Sequence, residues 1–438
     1  MIGMPSPDSP TRLWKPLLNE SDAATALLTI REIADTLQAE IENMRQQAAS
    51  PTQAQRFTAF QLGEGAAGIA VFFAYLHRTG MRPGAREIAL EYLDIAVDAL
   101  ANQAMNSSLY SGFTGIGWAA RHITELLGDS SSELTEELDT AIEKYVSHSP
   151  WKDDYDLISG LTGLGVYCLE QEGSAAAERA LALIVERLDE MAERSDSEVC
   201  WFTPPEMLID QQRKDYPEGY YNLGLAHGVP GIIALLGRSY HAGIARERGL
   251  WLLERAVNWL LRQRLPADKD SSFSGFSIPS RPAEDCRLAW CYGDGGLSAA
   301  LMLAARSAGR EAWEHEALEV ARRAARRDPA SCGVRDVCFC HGSAGLSHIF
   351  NRFFQATGEE IFSGAARYWL ERTLQFREPG TGAAGYSVWT ANDQLDIVFL
   401  GRLGIIEGIA GVGLTLLAAT TSIEPAWDRI FQVDIPLR

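Results

Sequence analysis

Three residues of types that bind transition metals occupy two adjacent positions of a repeated sequence motif, just before its first glycine. Cys291 lies in WCYGDGG, and Cys340 and His341 lie in CHGSAG. In both segments a glycine stands two residues after the cysteine, and an apolar stretch of helical character follows. This common position predicts that Cys291, Cys340 and His341 lie at the starts of two neighbouring helices, close enough to share one ion. Two thiolates and one imidazole, with a fourth position open to water or substrate, are typical of a catalytic zinc.

A packing role for these cysteines has to be weighed against metal binding. Cysteine is among the most buried residue types, and the 49-residue separation of Cys291 and Cys340 matches no zinc-finger spacing. Two cysteines at the same offset in consecutive repeats, one of them beside a histidine, are unexpected by accident, which favours the metal site. Cys338 is a weaker candidate ligand, two residues before Cys340. The other cysteines are interpreted as packing residues: Cys168, Cys200, Cys286 and Cys332.

The motif belongs to a sevenfold repeat that predicts the fold. A small or polar residue, a glycine, two residues and a second glycine precede each of seven apolar stretches. Successive repeats are 47 to 68 residues apart, with first glycines Gly65, Gly112, Gly160, Gly228, Gly293, Gly342 and Gly408. Each interval is long enough for two helices and their turns, which marks an array of supersecondary units. We expect the glycines to permit close backbone approach and positive φ before each helix.

The apolar stretches and the segments between them differ in amphipathicity. The stretches after the glycine pairs are apolar on nearly all sides, as expected of buried helices, whereas segments such as residues 177–194 have one charged face. Alternating inner and outer helices can form an open solenoid or a closed double ring. The first and last repeats are as apolar as the middle ones, which favours closure because a solenoid needs polar capping repeats. The sequence therefore predicts an all-α fold, an α/α toroid of about fourteen helices.

The whole chain, residues 1–438, is predicted to form this single toroid domain. Residues 197–223 mix Trp, Tyr, Pro and short apolar runs, and they are a candidate small insertion. Residues 270–285 and 382–400 have a similar composition, so we expect loops or small β elements there, over one end of the ring. The N-termini of the inner helices should converge on that end, where the residues before the first glycines would meet.

Other polar residues at this end have side chains suited to acid–base chemistry. His227 occupies, in repeat four, the position of His341 in repeat six, and it is a candidate general acid or base. A loop histidine that only bonds the backbone fits the same sequence. Asp156 and Arg287 lie four and six residues before the first glycine of their repeats and are further candidates, although surface roles would also explain them. His348 follows the start of the CHG helix and is expected to be packed. The other histidines outside this position are expected to be solvated: His77, His122, His148, His241 and His315.

The composition excludes several classes of function. Lys and Arg total 39 against 58 Asp and Glu, a net charge of -19, which argues against binding a nucleic-acid backbone. The most apolar stretch, near residues 405–419, is interrupted by Glu407 and three glycines, so no integral membrane segment is predicted. Seven cysteines without a regular disulfide framework favour a reducing, cytoplasmic location.

Four motifs together closely resemble the lanthionine synthetase C-like family, the cyclases that close thioether rings in lanthipeptides. They are DYDLISGLTG, NLGLAHGVPG, RLAWCYG and CHGSAG, and they occur in this order among the seven glycine-pair repeats. The resemblance covers about residues 60–420 and implies an α/α toroid with one Zn²⁺ held by Cys291, Cys340 and His341. It also places four candidate catalytic residues around the metal: His227, Asp156, Arg287 and Tyr292.

The resemblance implies an intramolecular Michael-type addition. Zinc would convert a peptide cysteine to its thiolate, which attacks dehydroalanine or dehydrobutyrine to form lanthionine or methyllanthionine. His227 would donate a proton to the carbon of the resulting enolate, and Arg287 would stabilise its oxygen. Asp156 would orient His227 or favour its charged form. Tyr292 would donate to the enolate or line the pocket. The expected partner is a dehydrated lanthipeptide precursor peptide, made by a separate dehydratase because the sequence carries no large dehydratase region.

Three other functions compete with ring formation. Members of the same superfamily resemble proteins that bind or add glutathione or a thiol peptide without forming rings. A protein that only binds the thiol would keep the three metal ligands without requiring His227 and Asp156. Prenyltransferase-like α/α rings need a carboxylate ligand and a basic diphosphate pocket, and no basic cluster occurs near the metal position. Glycosidase and terpene cyclase rings need paired carboxylates, and only Asp156 is suitably placed.

Overall fold

The computed structural model describes residues 13–49, 59–129, 133–391 and 396–437. These residues form sixteen α-helices and seven short β-strands. The helices are α1 (Ala23–Ala39), α2 (Ile41–Ala49), α3 (Ala66–Arg78), α4 (Ala85–Asn102), α5 (Phe113–Leu127), α6 (Glu133–Val146), α7 (Leu161–Glu170), α8 (Ala175–Met191), α9 (Asp210–Asp215), α10 (Val229–His241), α11 (Arg246–Arg262), α12 (Asp294–Ala308), α13 (Glu311–Arg326), α14 (Ser343–Thr357), α15 (Glu360–Gln375) and α16 (Ile409–Thr420). None of the described helices is long and apolar enough to span a bilayer.

Seven of the described helices form a closed inner ring. In order around the ring they are α3, α5, α7, α10, α12, α14 and α16, and α16 closes the ring by packing against α3. Residues of all these helices are buried on several sides, as their apolar sequences predict. Each inner helix begins directly after the first glycine of a repeat. The predicted all-α toroid is confirmed.

Amphipathic helices form the outer ring. Helices α4, α6, α8, α11, α13 and α15 pack against the inner helices, and α1 completes the ring by packing on α16 and α15. In α13, for example, Ala317, Val320 and Ala321 are buried, whereas Glu311 and Arg326 are exposed. The spacing of apolar and charged residues along a helix therefore predicts its layer, because only one face of an outer helix meets the core.

Close backbone approach requires glycine at both positions of the repeat motif; at a first glycine, Gly228, a Cβ would lie 2.1 Å from the Asn222 carbonyl oxygen. Of the seven first glycines, all described, only Gly293 has a positive φ, at 94°, so the expectation of positive φ was wrong for the other six. The second glycine allows close approach of the preceding loop. A Cβ at Gly345 would lie 1.9 Å from the Phe339 carbonyl oxygen, and one at Gly296 would lie 1.9 Å from that of Trp290. No side chain fits there.

Short antiparallel strands occupy the segments between the helices. They are β1 (Glu193–Arg194), β2 (Val199–Cys200), β3 (Phe202–Thr203), β4 (Tyr220–Asn222), β5 (Phe276–Ser277), β6 (Val388–Ala391) and β7 (Ile397–Leu400). Strand β1 pairs with β2, β4 lies between β3 and β5, and β6 pairs with β7. The excursions predicted at 197–223, 270–285 and 382–400 thus contain β elements. That 197–223 is an insertion into a single domain of residues 1–438 stays a prediction.

The C-terminal segment lies inside the inner ring. It contains a 3₁₀ helix, Ala426–Phe431, and side chains of residues 427–435 contact inner helices around the ring. The Trp290 indole N–H donates to the Phe431 carbonyl at 2.8 Å, joining this segment to the loop before α12. Arg352 of α14 binds the Asp428 carboxylate through Nε at 2.6 Å and Nη2 at 2.9 Å. Both side chains are almost fully buried, so this ion pair anchors the segment.

The sequence suggested that His122 is solvated, but the structure buries it in α5. Its Nδ1 lies 2.6 Å from Glu170 Oε1, and its Nε2 lies 3.0 Å from the Tyr75 hydroxyl. Burial alone would raise the pKa of Glu170, but the neighbouring His122 and Arg429 outweigh it and lower that pKa to about 2. The expectation failed because α5 is an inner helix, where every face of the helix meets protein.

Asp428→Ala tests whether the C-terminal segment stabilises the ring. The substitution leaves the Arg352 guanidinium buried without its carboxylate, and breaking a buried pair in this way costs about 3–5 kcal/mol. We expect the free energy of unfolding, measured by urea denaturation followed by circular dichroism, to fall by this amount. Arg179→Ala removes the exposed pair with Glu143 and is the control, with no measurable change expected. Equal stability of Asp428→Ala and the unaltered protein would contradict the anchoring role.

Candidate metal centre

The seven loops that precede the inner helices meet at one end of the ring, which we call the mouth. Main-chain N–H···O=C bonds join neighbouring loops there. They run from Gly63 to Tyr110 (2.9 Å), Leu157 to Ala226 (3.1 Å), Ala226 to Cys291 (3.4 Å), Cys291 to Cys340 (3.2 Å), Cys340 to Ile406 (3.0 Å) and Ile405 to Gly63 (2.8 Å). Residues at the same position of neighbouring repeats therefore lie close together in the structure.

Cys291, Cys340 and His341 converge at the mouth. Their ligand atoms, two sulfurs and one imidazole nitrogen, all lie within 4.8 Å of one another. Cys291 lies in the loop before α12, and Cys340 and His341 lie in the loop before α14, which is the neighbouring inner helix. The Cys340 carbonyl accepts the N–H groups of both Trp290 and Cys291 at 3.2 Å. These bonds fix the distance between the two cysteines.

The charges around this cluster suit a cation. The hydrogen bond from Cys340 lowers the pKa of Cys291 well below its usual value, and His341 and Arg287 assist against the opposing effect of burial. Burial would lower the pKa of His341, but Asp336, Cys291 and Cys338 raise it to about 12. A group of acceptors that holds a proton this tightly also attracts a metal cation. Two thiolates and one imidazole are the ligands of a zinc-type site with an open position.

A second, overlapping group is less suited to a reactive metal. Asp336, Cys338 and His341 also have ligand atoms within 4.8 Å of one another. However, Asp336 and Cys338 are fully buried, so an ion between them would face no substrate. The Cys338 sulfur already accepts the His341 main-chain N–H at 3.4 Å, and burial raises the pKa of Cys338 to about 12. Cys340 is less deeply buried, which favours the group that contains it.

His227 and Asp156 form a hydrogen-bonded pair at the same mouth. His227 Nδ1 lies 2.5 Å from Asp156 Oδ2, and Asp156 Oδ1 accepts the Ser159 N–H at 2.6 Å. Burial alone would lower the pKa of His227, but the hydrogen bond and charge of Asp156 raise it overall. The His227 side chain is 42% exposed, so Nε2 is available to a substrate while Nδ1 is held. This is the arrangement of an oriented acid–base histidine.

Arg287 and Tyr292 connect this pair with the cysteines. The Arg287 Nη2 lies 3.3 Å from the Cys291 sulfur, and its guanidinium lies 5.9 Å from the centre of the Tyr292 ring. The Tyr292 ring in turn lies 6.2 Å from that of His227, with the ring planes at 28°. Burial raises the pKa of Tyr292, so its hydroxyl stays protonated and can donate a hydrogen bond. The structure thus brings all seven candidate residues to one mouth.

Three polar or aromatic residues at the mouth escaped the sequence analysis. Asn222 donates to the Tyr292 hydroxyl oxygen at 3.1 Å, and the Trp389 ring lies 5.1 Å from that of His341. Asp336 contacts His341 through its side chain. Asn222 could have been found, since it belongs to the NLGLAHGVPG motif. Asp336 stands six residues before Gly342, as Asn222 stands six residues before Gly228, so the repeat could also have indicated it. Trp389 lies outside the repeated motif, and nothing in the local sequence marks it.

The closed double ring of helices with a Cys, Cys and His cluster at its mouth defines a class of protein. A family model described as lanthionine synthetase C-like protein matches residues 56–432, and the chain belongs to this family. Nisin biosynthesis protein NisC of Lactococcus lactis subsp. lactis is 25% identical over 355 residues, which cover 76% of this chain and 79% of NisC. The solved structure of a nisin cyclase shares the fold, with a TM-score of 0.72 and 22% identity over 91% of this chain and 97% of that one.

Single substitutions test the metal ligands. Cys291→Ala, Cys340→Ala and His341→Ala should each abolish or strongly reduce metal content, because three ligands cannot spare one. We expect about one transition-metal ion per chain in the unaltered protein, measured by elemental analysis. Cys338→Ala is the matched control and should keep its metal. Full metal content after Cys340→Ala, or loss of metal after Cys338→Ala alone, would assign the ion to other ligands.

Proposed function

We propose that the protein is a zinc-dependent lanthipeptide cyclase that forms lanthionine and methyllanthionine rings. The observation that carries this proposal is the pairing of a Cys, Cys and His cluster with the Asp156–His227 pair at one open mouth. Membership of the lanthionine synthetase C-like family and the similarity to NisC support it. The substrate is a dehydrated precursor peptide, supplied by a separate dehydratase in the cytoplasm.

The reaction joins a peptide cysteine to a dehydroamino acid in the same peptide. Bound through Cys291, Cys340 and His341, Zn²⁺ would supply the Lewis acidity that keeps the substrate sulfur as a thiolate at neutral pH. A sulfur–carbon bond forms at the β-carbon, and the electron pair of the double bond moves towards the carbonyl oxygen. The α-carbon then takes up a proton, which balances the proton that the thiol released.

The residues around the cluster divide the remaining work. His227 Nε2 donates a proton to the α-carbon. Asp156 accepts a hydrogen bond from Nδ1 and favours the protonated ring before this transfer. Arg287, whose Nη2 lies beside Cys291, has further N–H groups to stabilise the negative oxygen. Tyr292, positioned by Asn222, is a second donor to that oxygen. Together these groups distinguish a ring-forming site from one that only captures sulfur.

A direct assay tests the proposal. Zinc-loaded protein is mixed with reduced glutathione and a synthetic peptide that carries one dehydroalanine and one cysteine. Ring closure leaves the peptide mass unchanged and removes its free thiol, so mass spectrometry after thiol alkylation should show an unmodified peptide. If the protein instead binds or adds glutathione without closing rings, the peptide gains glutathione mass or still reacts with the alkylating agent, and the proposed function is wrong.

His227→Ala separates catalysis from metal binding. The variant should keep its zinc, because His227 is not in the ligand cluster, and should cyclise about 10²- to 10⁴-fold more slowly. The rate is measured with limiting enzyme, and zinc by elemental analysis. His241→Ala, at the exposed far end of the same helix α10, is the control and should leave the rate unchanged. An unaltered rate in His227→Ala would remove His227 from the mechanism.

Asp156→Asn tests how the pKa of His227 is set. Asp156 raises this pKa, so its neutralisation should lower it, and His227 would lose its proton at lower pH than in the unaltered enzyme. The alkaline limb of the rate profile, where His227 is no longer an acid, should therefore move to lower pH. The profile of kcat against pH measures this. A limb that stays in place or moves to higher pH would contradict this role of Asp156.

A further inference from the structure

The Asp336 carboxylate is buried behind the candidate metal ligand His341. The Asp336 side chain is completely inaccessible to solvent, and its Oδ2 lies 3.4 Å from His341 Nε2. Asp336 stands in the loop before α14, five residues before His341. Among the described residues, His341 forms the ion pair with this carboxylate. A buried negative charge therefore faces one nitrogen of the imidazole.

The carboxylate is held in place by main-chain groups from two segments. Oδ1 accepts the N–H of Cys338 at 3.1 Å, within the loop that carries His341. Oδ2 accepts the N–H of Trp389 at 3.1 Å, at the start of the β6–β7 hairpin. A carboxylate has about four lone-pair positions, so it can receive these two donors and still accept from His341. Asp336 is therefore a rigid acceptor at a defined distance from the ring.

The imidazole nitrogens have different surroundings. Nε2 is buried and has no hydrogen-bond partner among the described residues, and the Asp336 carboxylate, 3.4 Å away, is the acceptor that it faces. A ring that donates from Nε2 must leave Nδ1 unprotonated when neutral, and an unprotonated nitrogen is what a metal requires. A carboxylate behind a metal-binding histidine fixes both the tautomer and the direction of the ring, and makes the ligand nitrogen more basic.

We propose that Asp336 is the positioning residue of the metal centre, which holds His341 through Nε2 and leaves Nδ1 to the ion. Asp336 is not assigned as a ligand, because it lies on the fully buried side of His341, where an ion would face no substrate. Through Trp389, the same carboxylate ties the β6–β7 hairpin to the metal ligand. The proposal rests on the metal centre of the proposed function but not on ring formation.

Zinc affinity, measured by competition with a chromophoric chelator, tests this role. Asp336→Asn keeps the size of the side chain but removes its charge, and should weaken zinc binding about 10- to 100-fold. The control is Asp139→Asn, which alters another buried carboxylate, one that accepts the Tyr167 hydroxyl at 2.7 Å away from the cluster. Its zinc affinity should be unchanged. If Asp336→Asn binds zinc as tightly as the unaltered protein, the proposal is wrong.

A double-mutant cycle separates positioning from a general effect on the loop. In the His341→Cys background, which keeps a third metal ligand but has no imidazole, Asp336→Asn should cause no further loss of zinc affinity, since the group through which it acts is gone. Equal losses in both backgrounds would show that Asp336 supports the loop instead, and would overturn the proposal. If Asp336→Asn does not fold, Asp336→Glu, which keeps the charge, replaces it in the cycle and should show the same dependence on His341.

The outcomes also distinguish this inference from the proposed function. Absence of zinc binding in the unaltered protein would refute the metal centre and with it both proposals. Zinc binding with an unchanged affinity in Asp336→Asn would refute the positioning role alone. Loss of zinc in Cys338→Ala with retention in Cys291→Ala would make Asp336 a ligand and overturn its assignment as a positioning residue.

Discussion

Main-chain hydrogen bonds between successive loops hold the mouth of the toroid together, and the metal-binding side chains depend on them. The Cys340 carbonyl accepts from Cys291, and the Cys340 N–H donates to Ile406, so each loop is placed by its neighbours. Because the backbone makes these bonds, the side chain at the shared position is free to differ between repeats. The same scaffold position therefore carries a candidate metal ligand, His341, in one repeat and a candidate acid–base residue, His227, in another. Sevenfold repetition supplies the geometry, and substitution at one position supplies the chemistry.

The loops approach the inner helices so closely that only glycine fits at the contact. At Gly345, in the helix that follows the Cys340–His341 loop, an added Cβ would overlap the Phe339 carbonyl, and Gly296 stands in the same relation to Trp290. These contacts place the loop backbone directly over the first turn of its own helix. A bulkier residue would push the loop outward and separate the sulfurs, so the glycine pairs serve the site as well as the fold.

Charge is distributed differently at the mouth and in the interior of the ring. At the mouth, two carboxylates each face a histidine, Asp336 at His341 and Asp156 at His227. Each carboxylate contacts one ring nitrogen, so one physical arrangement sets both the direction and the protonation of the two histidines. In the interior, Asp428 is instead neutralised by Arg352 and binds the C-terminal segment. Carboxylate–histidine pairs also occur in the interior, between Glu170 and His122 and between Asp428 and His348, so location at the open mouth and not the pairing itself distinguishes the candidate site.

The amino-acid sequence by itself determined the layers of the fold and the meeting of the cysteines with His341. Both follow from periodicity: the pattern of apolar residues assigns each helix to a ring, and residues at equivalent positions of a closed repeat must come together. The pairing of His227 with Asp156 was expected from family resemblance, and only the structure gave its distance. The contacts of Asp336 and Trp389 with His341 came only from the tertiary structure, although Asp336 occupies a position that recurs in the repeat. Trp389 stands 48 residues after His341 in an irregular excursion, and no local pattern encodes where such a hairpin docks. The burial of His122 was missed for a related reason, because the solvation of a polar residue depends on every element packed around it and not on its own segment.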